Sequence, residues 1–98
     1  MDCTISYYSE SVQEEIFALP DTLAARYIVL TRRIVALGDG LFELRLKGAE
    51  GIARIFFCTL VGKRVVMLHS FVKISAKPPP RERLIAESRM KEVRHENS

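Results

Sequence analysis

The sequence predicts a single α+β domain over residues 1–98: an N-terminal strand, a helical hairpin, a small, mainly antiparallel sheet and a C-terminal helix. Three observations predict it. Apolar residues make up 48% of a 98-residue chain, enough for one core and no more than one domain. Apolar and polar residues alternate with period two over three consecutive segments after residue 41, the signature of half-buried strands. Leu23, Tyr27, Leu30, Ile34 and Leu37 recur at steps of four and three, the spacing of one helix face.

In chain order, "CTISYY" at residues 3–8 is β-branched and aromatic and forms a short strand. Ser11 followed by Glu14 fits a capping box, which opens a short helix over "SVQEEIFAL". Pro20 ends it, because proline cannot continue the hydrogen-bond ladder. Asp21 or Thr22 caps a second helix running to about Leu37, stopped by Gly38, Asp39 and Gly40. "FELRLK" then sets Phe42, Leu44 and Leu46 against Glu43, Arg45 and Lys47 on opposite faces of a strand. "GAEG" turns into the strand "IARIFFCTL", and "VGKR" turns into "VVMLHSFVK". Turns this short make antiparallel neighbours. Pro78, Pro79 and Pro80 stop the sheet and open a last helix, whose apolar stripe is Ala86, Met90 and Val93. The helices are expected to cover one face of the sheet and leave the other at least partly open.

Composition excludes several classes. No run of about 18 apolar residues exists, so no membrane span is expected. The N-terminus carries an early acid and no basic segment, unlike a secretion signal. Two cysteines and two histidines without close spacing make neither a disulfide framework nor a zinc site, and point to a reduced, cytoplasmic protein without metal or cofactor. Charge is unevenly placed. Residues 1–40 carry −3, with three basic and six acidic side chains, whereas residues 41–83 carry +6, with nine basic and three acidic. Such a middle suits a polyanionic partner, RNA or DNA first.

Period two also groups side chains. Arg45 and Lys47 share one side of their strand, and so do Arg54, Phe56 and Cys58 on the next. Met67, His69, Phe71 and Lys73 share a side of the third, with Lys77 and Arg81 just beyond. If register joins these sides, one face bears Arg45, Lys47, Arg54, His69, Phe71 and Lys73. That set suits metal-free RNA cleavage. Cations neutralise charge building on a phosphorane-like transition state. An aromatic ring stacks an unpaired base. Histidine exchanges protons near neutral pH. Attack by a ribose 2′-OH on its own 3′-phosphate needs no protein nucleophile. Each residue also has a plain structural role open to it: Arg45 and Arg54 as ion-pair partners of Glu43 or Glu50, His69 and Phe71 as core, Phe56 and Phe57 as packing, Cys58 as an inert thiol.

"LFELRLKGAEGIARIFF" followed by "VVMLHSFVKISAKPPPRERLIAESRMKEV" resembles the HigB-like, phage-derived branch of the RelE/ParE toxin superfamily. The E-L-R and H-x-F-x-K segments at this spacing carry the resemblance, which covers residues 16–93. It implies a RelE-like fold and the toxin of a type II toxin–antitoxin system. The activity implied is a ribosome-dependent mRNA endoribonuclease (an mRNA interferase) that enters the ribosomal A site, with a helix-turn-helix antitoxin as cognate partner. By matching position, Arg45 and Arg54 would hold the scissile phosphate and Lys73 would add charge. His69 would transfer protons and Phe71 would pack or stack, while Lys47, Lys77 and Arg81 would touch RNA. The branch commonly has a second basic residue after the lysine of F-x-K; here it is Ile74, with Lys77 a possible substitute. Two other readings compete: a ParE-like poison that binds gyrase and needs no nuclease site, and a weakened homologue acting as a binding module.

Overall fold

The computed structural model describes residues 4–19, 33–48, 51–60, 64–73 and 80–96. Among the described residues, five strands form one sheet in the order β1-β5-β4-β3-β2, flanked by two helices. β1 (Thr4–Tyr7) pairs with β5 (Arg64–Lys73) in parallel, and the other pairings are antiparallel. The sheet is therefore mainly antiparallel, and the class is α+β as the alternation predicts.

The first helix, α1 (Glu10–Phe17), starts two residues earlier than the expected capping box. Ser9, not Ser11, is the cap: its Oγ accepts the Val12 amide at 3.2 Å. Ser9 has extended dihedrals and can turn its hydroxyl onto the exposed amides of the first turn, which Ser11, already helical, cannot. α1 ends at Phe17, before Pro20.

The second expected helix is corrected in part. Residues 20–32 lie outside the described residues. Residues 33–38, assigned to that helix by the spacing of Ile34 and Leu37, are instead the strand β2 (Arg33–Gly38). β2 pairs with β3 (Leu41–Gly48) through Arg33↔Arg45, Ile34↔Leu44 and Ala36↔Phe42, with an irregularity at Leu37. The residues read as a helix stop make the hairpin turn. Gly38 pairs with Leu41 across Asp39 and Gly40, whose φ values are +55° and +82°. Two positive φ angles in a two-residue loop match the twist of paired strands, and Asp-Gly is well suited to them.

β4 (Gly51–Leu60) is the central strand. Its residues 53 to 58 are all buried, so both of its faces are covered. The two described helices do not share one face. α1 packs Val12 and Ile16 onto Leu44, Leu46, Ala53, Ile55, Phe57 and Met67. The C-terminal helix, α2 (Pro80–Glu96), packs Ala86, Met90 and Val93 onto Leu41, Phe56, Cys58, Val66 and Leu68 on the opposite face. Both faces of "IARIFFC" are apolar, so covering one alone would leave the other in water; a fully buried aliphatic or aromatic side chain contributes about 1.5–3 kcal/mol. α2 begins at Pro80, where a missing N–H costs nothing.

A bulge in β5 sets the next step. Phe56 pairs with His69 but Phe57 pairs with Met67, so Leu68 is an extra residue. Met67 thereby faces the α1 core, and the expectation that it shares a side with His69 fails at this inserted residue. The Leu68 carbonyl accepts Arg89 Nη1 of α2 at 2.8 Å. Two more arginines pin the helix to the β2–β3 turn, Arg83 Nη2 to Leu37 O at 3.0 Å and Arg94 Nη2 to Asp39 O at 2.6 Å. A Cβ on Gly40 would come within 2.2 Å of the Arg94 side chain.

Candidate functional site

Register brings the predicted residues onto the α2 face in three rows. Glu43, Phe56 and His69 form the first, across β3, β4 and β5. Arg45, Arg54 and Phe71 form the second, and Lys47, Ile52 and Lys73 the third. Neighbouring strands lie about 4.8 Å apart, so β3 and β5 face each other over roughly 10 Å of sheet.

Within this frame the arginines differ. Glu43 binds both: Arg45 Nε donates to Oε1 at 2.7 Å and Arg54 Nη1 to Oε2 at 3.1 Å. Glu43 and Arg54 are each 1% exposed, whereas the Arg45 side chain is 32% exposed. Arg54 therefore does not stand on an open face, which corrects the expectation that its side chain is exposed there. It lies beneath the surface and balances a buried carboxylate, and Arg45 reaches solvent from the same carboxylate. Of the ion-pair partners weighed from the sequence, Glu43 is the one described; Glu50 lies outside the described residues.

His69 sits in an aromatic stack. Its ring centroid is 6.5 Å from Phe56 and 6.0 Å from Phe71, and these two are 5.9 Å apart. Phe71 is half-buried, while Phe56 is fully buried, as expected of packing. His69 Nε2 lies 2.8 Å from Glu82 Oε1, in the first turn of α2. Nδ1 is buried and has no hydrogen-bond partner among the described residues. Sequence reasoning did not single out Glu82. The signal for it was the Pro-x-Glu start of the last helix, where an acid complements the helix dipole.

The remaining predicted residues fall as follows. Lys47 is exposed on β3, and Arg81 is exposed in the first turn of α2. Lys73 ends β5 opposite Ile52, so its backbone stands in the third row. Lys77 and Ile74 lie outside the described residues. Cys58 is buried in the α2 core, and burial pushes its thiol up, which suits the expected inert thiol. Among the described residues no cluster of histidine, cysteine, aspartate and glutamate could hold a metal ion, and no helix is long and apolar enough to cross a membrane.

The arrangement offers an accessible cation at Arg45, another at Lys47, a half-open ring at Phe71 and a carboxylate–imidazole pair at the start of α2. Groups of these kinds can bind an anion, stack on a planar ring and exchange a proton. A family model described as phage-derived protein Gp49-like (DUF891) matches residues 4–91. No curated protein matches the chain.

Proposed function

This chain belongs to the phage-derived Gp49-like protein family, and from that premise we propose that it is the toxin of a type II toxin–antitoxin pair, acting as a ribosome-dependent mRNA endoribonuclease. The observation that carries the reading is the joining, on one sheet face, of Arg45, Lys47 and Phe71 with the His69–Glu82 pair. A gyrase-binding poison needs no such face. The charge of +6 over residues 41–83 supports an RNA partner.

In the proposed reaction Arg45 contacts the scissile phosphate and offsets the charge that develops on its equatorial oxygens. Lys47 and Arg81 hold flanking phosphates. Phe71 stacks a base turned out of the message. The His69–Glu82 pair handles the proton of the attacking 2′-OH. The RNA ends as a 2′,3′-cyclic phosphate and a 5′-hydroxyl, with no covalent enzyme intermediate. Arg54 acts indirectly, by balancing Glu43 so that Arg45 is left with charge to offer. The cognate antitoxin, a helix-turn-helix protein in this reading, covers the basic face or locks α2, so that neutralisation competes with ribosome binding.

The test is toeprinting of a defined message on purified ribosomes. Cleavage within the A-site codon, needing both ribosome and protein and insensitive to chelator, is the expected result. Unchanged message together with loss of DNA supercoiling would move the assignment to the gyrase-poison class.

A further inference from the structure

We propose that Glu82 is the general base of the cleavage reaction and that His69 is a positioning residue behind it. The inference rests on the nuclease reading above and names the group that takes the 2′-OH proton. Four observations carry it. His69 has both ring nitrogens withdrawn from substrate: Nε2 is engaged by Glu82 at 2.8 Å, and Nδ1 is buried without a partner. The imidazole is also the more buried partner, with 13% of its side chain exposed against 20% for Glu82. Its ring lies stacked with Phe56 and Phe71, and an in-plane turn that exchanged the ring's edges would break the bond from Nε2 to Glu82. Glu82 spends Oε1 on His69, and its other oxygen, Oε2, has no hydrogen bond among the described residues.

Of the pair, the carboxylate is thus the more exposed member, with one oxygen left over. A base must come within hydrogen-bond reach of the proton it removes, directly or through one water, and among the pair Glu82 is the member able to do so. In the step, Glu82 Oε2 accepts the 2′-OH proton as O2′ bonds to phosphorus. The bond from phosphorus to O5′ breaks, and O5′ takes a proton from water. Glu82 then returns its proton to solvent. No other reactant is consumed. His69 holds Oε1 so that Oε2 faces the substrate, and Phe56 and Phe71 hold His69. Pro80 starts the helix two residues before Glu82 and so sets the height of the carboxylate over the sheet.

The experiment compares single-turnover cleavage of ribosome-bound message, at limiting and saturating protein, by the full chain, Glu82→Gln, Glu82→Asp and His69→Gln, each checked for folding by circular dichroism. Glu82→Gln is expected to lose about 10²-fold or more in the saturated rate, the usual worth of a general base, with the half-saturating concentration little changed. Glu82→Asp restores part of that rate. His69→Gln still offers Glu82 a hydrogen bond, so it loses about tenfold or less in the saturated rate, on the same scale. Cleavage by Glu82→Gln at the unaltered rate overturns the assignment, as does a His69→Gln loss equal to or larger than that of Glu82→Gln. If Glu82→Gln does not fold, Glu82→Asp decides: a saturated rate unchanged from the unaltered chain overturns the proposal. Failure of the unaltered protein to cut any ribosome-bound message overturns the nuclease reading, and this assignment with it.

Discussion

Replacing Arg54 with alanine separates a buried structural cation from a catalytic one. Arg54 and Glu43 are each 1% exposed and meet at 3.1 Å. Removing one partner of a buried ion pair costs about 3–5 kcal/mol, because the other charge stays in a poorly solvated place. Here Glu43 keeps Arg45 at 2.7 Å, and Arg45 reaches water, so the cost falls at the lower end, about 3 kcal/mol. For a domain of this size that is a drop in midpoint of roughly 12–24 °C, at about 4–8 °C per kcal/mol. It is also a large share of a total stability of about 5–15 kcal/mol. The assay is urea unfolding by circular dichroism, read as a change in midpoint at constant slope. A double variant, Glu43→Leu with Arg54→Met, removes both charges and is expected to recover most of the loss. An Arg54→Ala protein within about 0.5 kcal/mol of the unaltered one, the scale of a surface change, would refute the reasoning and return Arg54 to the exposed face.

Other outcomes follow from the same contacts. Arg45→Ala is expected to stay folded, since Arg54 still balances Glu43, while cleavage on ribosomes falls about 10²–10³-fold, as on loss of one donor to a developing oxyanion; toeprinting and a melt on one preparation check both halves. Cys58 is buried with its thiol pushed up, so alkylation by iodoacetamide at pH 8 should be negligible in the native protein and fast in urea, read by mass spectrometry. The Tyr8 hydroxyl donates to the Glu92 carboxylate, and that bond, with desolvation, raises its pKa above the usual value. The protonated hydroxyl therefore contributes stability below about pH 10, where unfolded tyrosine titrates, and that contribution fades as pH rises through the higher folded value. Unfolding curves of the unaltered protein and Tyr8→Phe should differ at neutral pH and converge in alkali.

How much was legible in the sequence differs by element. Period-two alternation in "FELRLK" identified both faces of β3 without help, because the two faces meet different solvents. Pro80 marked the start of α2, since the missing N–H allows little else, and Ala86, Met90 and Val93 were readable as its buried stripe. Those local signals also grouped Arg45, Arg54, and His69 with Phe71, each on one side of its own strand, while joining them on one face took the register of the sheet. They failed at residues 33–38. Ile34 and Leu37 fit a helical step, and a strand's backbone hydrogen bonds go to a partner distant in sequence, which no local period reveals. Asp39-Gly40 was the counter-signal, a hairpin turn lying between two alternating segments.

What the tertiary structure alone decided concerns burial and pairing. Whether a charged face is open depends on what packs over it, and α2 crosses the sheet where the sequence suggested an uncovered face. Arg54 is buried with Glu43 while Arg45 stands toward solvent, a distinction invisible between two arginines nine residues apart. The helix also brings Glu82 to His69 across thirteen residues of chain. The bulge at Leu68 parts Met67 from His69 for the same reason: an inserted residue shifts the face of everything before it, and only the pairing of both strands shows where the insertion lies. By itself the sequence determined which residue types line the face and that the chain is an α+β domain, because those follow from local solvent partition and backbone chemistry. Which of those side chains meets solvent, and which is held beneath it, is set by contacts between distant segments, and so belongs to the fold.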